Sequence, residues 1–471
     1  MRNPVRRGRG GWMYIGLLLT ALTASGCKPN DGPPPEGKSV IMVVIEALPA
    51  KVLGCYGNRD NLTPSIDAVA KSGILFERFH SAGPWTMPSF GTILTGLPPA
   101  LHRAGRFIPH PVDYIAPTNM FFGLRENVSL LPKLLPGVQT GAIINNVFLH
   151  PDFGFSKDWG TYDYQEAGFE KYRDGATVTN LALDWLKKYK DRPKFLLVHY
   201  FDPHLPYVAP KSYEDRLKCG GLGRVDMSNI RFLFDIRAKR FHPNQDEQNA
   251  LRCRHDAEAA YVDTEIGRLV RSMDEAGLSK DAWLVITADH GEELFEHGGF
   301  EHGHRYEDEM TKVPLIIRAP DRKWKGGTRV SASARHLDLT PTVLDWLGRP
   351  KPAELEGRSL MPLVAGAERE HRPAYMSFNL TGESAHAFYD GRYKIIESLD
   401  RKHTFMYDDD ADPNEQHKLG PEHPVFKELQ TKLRSIHDGY EKQVKHNNLK
   451  ENQPTLSNDQ IESLRSLGYI E

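Results

Sequence analysis

With 471 residues, 39% of them hydrophobic and 26% charged, the chain has the make-up of an ordinary globular protein with ample core for one large domain or two. A formal net charge of -2 gives no electrostatic basis for binding nucleic acid or an acidic membrane surface, so neither is expected as a partner.

The N-terminus carries export information. Arg2, Arg6, Arg7 and Arg9 precede the apolar run Met13–Thr23, which is short for a membrane span, and Ala24–Ser25–Gly26 then lead into Cys27. This junction resembles a bacterial lipobox with Ala24 in place of the usual leucine. The resemblance implies a signal peptide over residues 1–26 and lipidation of Cys27. Because Lys28 follows rather than aspartate, it further implies an exported lipoprotein at the periplasmic face or cell surface, with the outer membrane favoured. Residues 27–38, including Pro29–Gly37, read as a tether without core-forming residues. In an oxidising compartment Cys219 and Cys253 could bridge, although sequence alone leaves the pairing open, and Cys55 reads as a small buried apolar residue.

Ser39–Leu48 predicts a first buried strand, with Glu46 where the apolar run stops; a carboxylate there is costly unless it is paired or binds metal. Pro64–Gly73 reads as a short helix. Within Gly83–Gly96 a helix begins near Thr86, which is either an N-cap hydroxyl or a nucleophile whose anionic substrate is steadied by the helix N-terminus. Gln139–Asn146 predicts a strand, and Val178, Leu181, Ala182, Trp185 and Tyr189 the apolar stripe of a helix. Lys194–Asp202 is a buried strand leading to His204, and residues 211–253 break the rhythm as an insertion. Val262, Ile266, Leu269, Val270 and Met273 form a helical face directly before Leu284–Val285–Ile286, a strand buried on both sides.

That strand ends in Asp289, His290 and Gly291, and His297, His302 and His304 follow in a glycine-broken loop. Taken by itself the pair reads first as a capping aspartate and a surface histidine. Its place beyond a strand end also makes it a candidate metal site. Val313–Arg318 predicts another strand and Leu339–Leu347 a helix. The alternation gives an α/β class over residues 39–366: a large mixed, mostly parallel sheet with helices on both faces. Residues 367–471 change character, with a hairpin at Asp390–Gly391, a strand Phe405–Asp408 and a helix Val425–Tyr440, a small α+β C-terminal subdomain.

Seven segments in this order resemble the sulfatase family of the alkaline-phosphatase superfamily: VVIEALPAKVLGCYG, PWTMPSFGTILTG, HYFDPHLPY, ITADHGEELFEHG, FEHGH, DLTPTVLDWLG and EGRSLMPLVAG. The likeness runs from Ser39 to the terminal LRSLGYIE. It implies an alkaline-phosphatase/sulfatase-like fold that gathers the end of the first strand, the start of the Thr86 helix and Asp289–His290 into one pocket. It also implies Glu46, Thr86, Asp289 and His290 as ligands of a divalent metal, Thr86 as nucleophile, and His204 and His302 as groups that bind the anion or protonate the leaving oxygen. Asp202 and His297 are then candidates for substrate contact or a second metal, so one or two ions, and Lys312 for substrate contact.

Three departures bear on the chemistry. Formylglycine sulfatases oxidise a cysteine or serine where Thr86 stands, whereas threonine would at best give a ketone, which hydrates poorly. Phe90 replaces the arginine that supports the formylglycine, and Ala47 replaces a second aspartate expected of a calcium site. With His290 as a ligand, zinc or manganese is favoured, and calcium stays open. Threonine is the nucleophile in related phosphodiesterases and phosphoethanolamine or phosphoglycerol transferases. The expectation is therefore a metal-dependent hydrolase or transferase of phosphate, phosphonate or sulfate esters, phosphoryl chemistry favoured. The alternatives are arylsulfatase-like hydrolysis of sulfuric esters by a non-formylglycine route, and a non-catalytic lipoprotein that binds anionic glycans. The expected partner is an anionic ester, a sulfated or phosphorylated glycan, lipid or small molecule, with specificity in Ala104–Asn127 and Lys211–Cys253.

Overall fold

Ser39–Ile45, Lys194–Tyr200 and Ala282–Ala288 are buried at every residue, so both faces of the sheet they form have to be covered. The structure, a computed structural model, describes residues 39–105, 121–165, 172–320, 326–467 and 469. The export segment, the tether, Cys27 and residues 106–120 of one expected specificity loop lie outside the described residues.

The main sheet has eight strands in the order Thr328–Val330, Ile74–Phe76, Leu315–Arg318, Ala282–Ala288, Ser39–Ile45, Lys194–Tyr200, Gln139–Ile144, Thr161–Tyr164. Leu315–Arg318 runs antiparallel to both neighbours, and the remaining strands share one direction. The expected mixed, mostly parallel architecture is what forms. Sequence reading did not anticipate Ile74–Phe76, Thr161–Tyr164 and Thr328–Val330, which are too short for a periodic signal to register.

Two groups of helices clasp the sheet. Gln245–Glu275 packs against Pro64–Ser72 and Gly175–Lys188, whereas Thr86–Thr95 packs with Leu339–Trp346. The long helix starts inside the expected insertion. Asn244 accepts a hydrogen bond from the Glu247 amide at 3.0 Å while the Glu247 carboxylate accepts from the Asn244 amide at 2.8 Å, a capping box that fixes the helix start. The rest of the insertion is itself helical, Lys211–Leu217 and Ile230–Arg237, and a Cys219–Cys253 disulfide ties it to the long helix.

The C-terminal strands Ala374–Ser377, Ala385–Tyr389, Tyr393–Ser398 and Thr404–Asp408 form an antiparallel meander. At its expected turn Asp390 Oδ1 accepts from the amides of Arg392 and Tyr393, and Gly391 sits at φ 118°, which a side chain would oppose. One face of the meander packs on helix Phe426–His446 through Phe388, Ile395, Met406, Leu429 and Leu433. Met376, Tyr389, Ile396 and Tyr407 on the other face pack on Tyr306. The loop that follows His290 is thereby wedged between the two sheets.

The Trp283 and Trp346 rings stack 4.3 Å apart with 8° between their planes, joining the central strand to a covering helix. Trp346→Ala is expected to lower the unfolding free energy by about 3–5 kcal/mol in urea titrations. A loss under about 1 kcal/mol would contradict that packing role.

Candidate active site and metal centre

Strand register assembles the site. Ile45 lies level with Tyr200 on one side and Ala288 on the other, so Glu46 and Asp289 leave the sheet next to each other. Ala47 then turns into the left-handed region at φ 50°, a conformation that costs a non-glycine residue roughly 1 kcal/mol. The turn is held from both ends. The Ala47 amide donates to Asp289 Oδ1 at 3.3 Å, and its carbonyl lies 3.1 Å from His255 Nε2. Gly291 follows His290 because a Cβ there would lie 2.0 Å from the Glu309 carbonyl.

Glu46 is completely buried and surrounded by partners. Oε1 accepts from the Thr86 hydroxyl at 2.6 Å and from Asn146 Nδ2 at 3.0 Å, and Oε2 lies 2.6 Å from His199 Nε2. Thr86 is the first residue of its helix; Trp85 occupies the capping position, and the hydroxyl faces Glu46 instead of a backbone amide. The cap reading of Thr86 therefore fails. His290 Nδ1 donates to the Gly291 carbonyl at 2.8 Å, which aims Nε2 into the group, 3.5 Å from Thr86 Oγ1 and 3.4 Å from both Glu46 and Asp289.

Ligand atoms of Glu46, Asp289 and His290 all lie within 4.8 Å of one another. Asp289 Oδ2 is buried with no hydrogen-bond partner among the described residues, an arrangement that is unfavourable unless a cation completes it. The donor set of two carboxylates and an imidazole fits a divalent metal. Its protonation is strongly uneven. Burial would raise Glu46, but the His199 and His290 imidazoles hold it well below the carboxylate range. Burial, reinforced by the charge of Glu46, pushes Asp289 well up. His290 is lifted to about 9, because Asp289 and Glu46 outweigh its desolvation. A metal can take the place of the proton this set otherwise shares.

His204 and His302 lie beside this group. The His302 ring lies 4.4 Å from that of His290 and 5.0 Å from that of His204. Burial and the neighbouring His302 lower His204 to about 4, and burial with His290 and Arg237 nearby holds His302 well below its usual value.

Three expected residues are placed elsewhere. Asp202 is buried where its electrostatic neighbours are Asp174, Glu258 and Glu265. His297 does form a compact group with Glu293 and Glu309. However, its Nδ1 is paired with Glu309 and its Nε2 lies 2.8 Å from the Glu415 carbonyl. Burial opposes its charge, yet the Glu309 carboxylate lifts it to about 9, so in this structure both ring nitrogens are engaged by protein partners. Lys312 is held by Asp308 at 3.0 Å and Asp409 at 3.4 Å.

Sequence reading missed His199, Asn146 and Tyr469. The signal for His199 was present, since an imidazole inside the apolar run KFLLVHY needs a buried partner. Asn146 also accepts from the Phe148 amide at 2.8 Å, which aims its Nδ2 at Glu46. Tyr469 places its hydroxyl 3.2 Å from His204 Nε2 and 3.4 Å from His302 Nε2. No local pattern announced that.

Known proteins resemble this chain in sequence and in fold. The family profile described as Sulfatase matches residues 38–349, and that of the N-sulphoglucosamine sulphohydrolase C-terminal region matches residues 295–443. Human N-sulphoglucosamine sulphohydrolase is 26% identical over 393 residues, covering 76% of this chain and 72% of that protein. A structure solved in complex with its substrate D-glucosamine-2-N,6-O-disulfate superposes with a TM-score of 0.65 at 19% identity, covering 86% of this chain and 98% of the other. The phosphonate monoester hydrolase of Agrobacterium radiobacter does so with a TM-score of 0.68 at 18% identity, over 85% and 96%. At such identities the two structures establish a shared fold.

Two outcomes test this reading of the site. His199→Ala should weaken divalent-metal affinity about 10–100-fold in competition with a chelator, because it removes the group that orients Glu46; unchanged affinity would refute that role. Asp202 has a folded pKa of about 7, raised by burial above its value in the unfolded chain. Its contribution to stability is thus fully present below about pH 4 and is lost as pH rises to about 7. Relative to Asp202→Asn, the wild type should lose stability on the order of 3–4 kcal/mol across that window in denaturant titrations. Parallel pH profiles would contradict it.

Proposed function

From the premise that the chain belongs to the sulfatase family, we propose that it hydrolyses phosphate or phosphonate esters through Thr86 in a metal-dependent reaction, with sulfate esters as the second reading. The observation that carries this is Thr86 Oγ1 standing 2.6 Å from Glu46 Oε1 inside the Glu46–Asp289–His290 group.

Glu46, Asp289, His290 and the Thr86 oxygen are the residues that would hold a divalent cation, which when bound lowers the hydroxyl's pKa and polarises the ester's non-bridging oxygens. Glu46 Oε1 accepts the threonine proton in the resting site and so points the oxygen's lone pairs toward the substrate. Attack forms an O–P bond to Thr86 as the bond to the leaving oxygen breaks, the hydroxyl proton passing along its hydrogen bond to Glu46 Oε1, which returns it when Thr86 is released. His204 or His302 supplies the proton that the leaving oxygen needs. Burial keeps both imidazoles neutral near pH 7, and the charge of an incoming anion favours their protonated forms. Water, or an acceptor hydroxyl in a transfer reaction, then releases the phosphoryl group from Thr86.

Phe90 supports the phosphoryl reading. Its ring is set edge-on to His199 at 5.0 Å, so the position expected to assist a formylglycine instead buttresses the partner of Glu46. A sulfo-threonine also lacks the elimination route by which a formylglycine hydrate expels sulfate. Sulfate-ester hydrolysis by direct attack draws support from the matched C-terminal region of N-sulphoglucosamine sulphohydrolase. The export pattern adds a proposed location, lipid-anchored through Cys27 outside the cytoplasm.

The purified protein is expected to carry divalent metal by elemental analysis and to cleave a chromogenic phosphodiester or phosphonate monoester. Chelation should abolish turnover, and Thr86→Ala should lower kcat/KM by roughly 1,000-fold or more. Turnover of aryl sulfates alone would overturn the phosphoryl preference, and full activity in Thr86→Ala would overturn the mechanism.

A further inference from the structure

Tyr469, which follows the helix Asn458–Ser466, reaches the active site. Ser457 and Gln460 cap the last helix, Asn458–Ser466, with a reciprocal pair of hydrogen bonds, and Gln460 Nε2 also reaches Asp152 Oδ2 at 3.3 Å. Leu464 and Leu467 are buried in the main core, and the Tyr469 amide turns back to the Leu464 carbonyl at 2.8 Å. The Tyr469 ring, buried as well, packs 4.7 Å from that of Phe148, which in turn meets Trp85 at 5.2 Å, the residue before Thr86. An aromatic row therefore runs from Tyr469 to the residue before the nucleophile.

The hydroxyl at the end of that row meets two imidazoles whose other nitrogens are already committed. His204 Nδ1 donates to the Leu205 carbonyl at 2.7 Å, and His302 Nδ1 to Glu292 at 3.1 Å. Both Nε2 atoms thus face inward and converge on Tyr469 Oη, at 3.2 and 3.4 Å. One hydroxyl lies within reach of both groups that serve the leaving oxygen: its single hydrogen goes to one Nε2, and it accepts from the other when that imidazole is protonated.

We propose that Tyr469 is a positioning residue for the leaving-group side of the reaction, its hydroxyl donating to the Nε2 of one of His204 and His302 so that the other, protonated, meets the departing oxygen. The inference rests on the ester-hydrolase reading above. It gives the LRSLGYIE terminus a purpose that neither the metal centre nor the nucleophile accounts for. Tyr469 acts through the histidines, so its loss is felt where protonation of the leaving oxygen limits the rate and is muted where the leaving group departs unaided.

The experiment compares the metal-loaded wild type with Tyr469→Phe, which keeps the ring against Phe148, and with a chain ended after Leu467, which keeps both leucine anchors. Substrates are the p-nitrophenyl and benzyl monoesters of phenylphosphonate. Tyr469→Phe is expected to lower kcat about 10–100-fold on the benzyl ester and less than about threefold on the p-nitrophenyl ester, with KM and Tm close to wild type. The shortened chain should reproduce the same leaving-group dependence. Equal losses on the two esters, or no loss on either, would overturn the assignment while leaving Thr86-dependent turnover intact. A wild type that turns over neither ester would sink the ester-hydrolase reading itself, and this inference with it.

Discussion

Glu46 is a carboxylate with no access to water, and the protein has to stabilise its charge from within. An isolated ion in such a place is worse by several kcal/mol than the same ion in solvent. Here the compensation comes from every side: His199 from the adjacent strand, Asn146 from the strand end beyond it, Thr86 from a helix start and His290 from the opposite strand. Each belongs to a different segment, so the folded sheet is a precondition for a stable Glu46. A metal added to this set would be one more cation in an arrangement already built around negative charge.

The parallel register explains why the chemistry collects at one end of the sheet. Ile45, Tyr200 and Ala288 are level, so three strands release their chains at the same height and their next residues share one crevice. Ala47 keeps a strained backbone there, and the bonds from its amide and carbonyl to Asp289 and His255 hold it in place. Around this rim the wedged loop supplies His302 and the terminal tail supplies Tyr469. Elements distant in sequence thus close a site whose base is made by strands alone.

Thr86 and Phe90 belong together as a chemical statement. A threonine nucleophile needs activation of its own oxygen, and the bond to Glu46 supplies an oriented hydroxyl. A phenylalanine turned on His199 stiffens the group behind Glu46 instead of meeting the substrate. Family membership by itself leaves sulfate and phosphate esters both open; these two side chains tilt the reading toward phosphoryl transfer.

Much of this was legible in the residues. An apolar run that stops at an acid, as at Glu46 and Asp289, marks a strand end, and long runs or 3.6-residue stripes mark the elements that cover it. Such patterns are local, so the sequence determined the α/β class and the principal strands, while Glu46, Thr86, Asp289 and His290 became an expected set only through the family resemblance. What it left open were partnerships across elements. Asp202 and His297 sit in motif segments yet the one lies among other buried carboxylates and the other pairs with Glu309, and Lys312 pairs with Asp308, while His199, Asn146 and Tyr469 join the centre through contacts that no spacing announces. Tertiary structure decided these because strand register, helix packing and the course of the tail set which side chains meet, and none of these is encoded in the spacing of neighbouring residues.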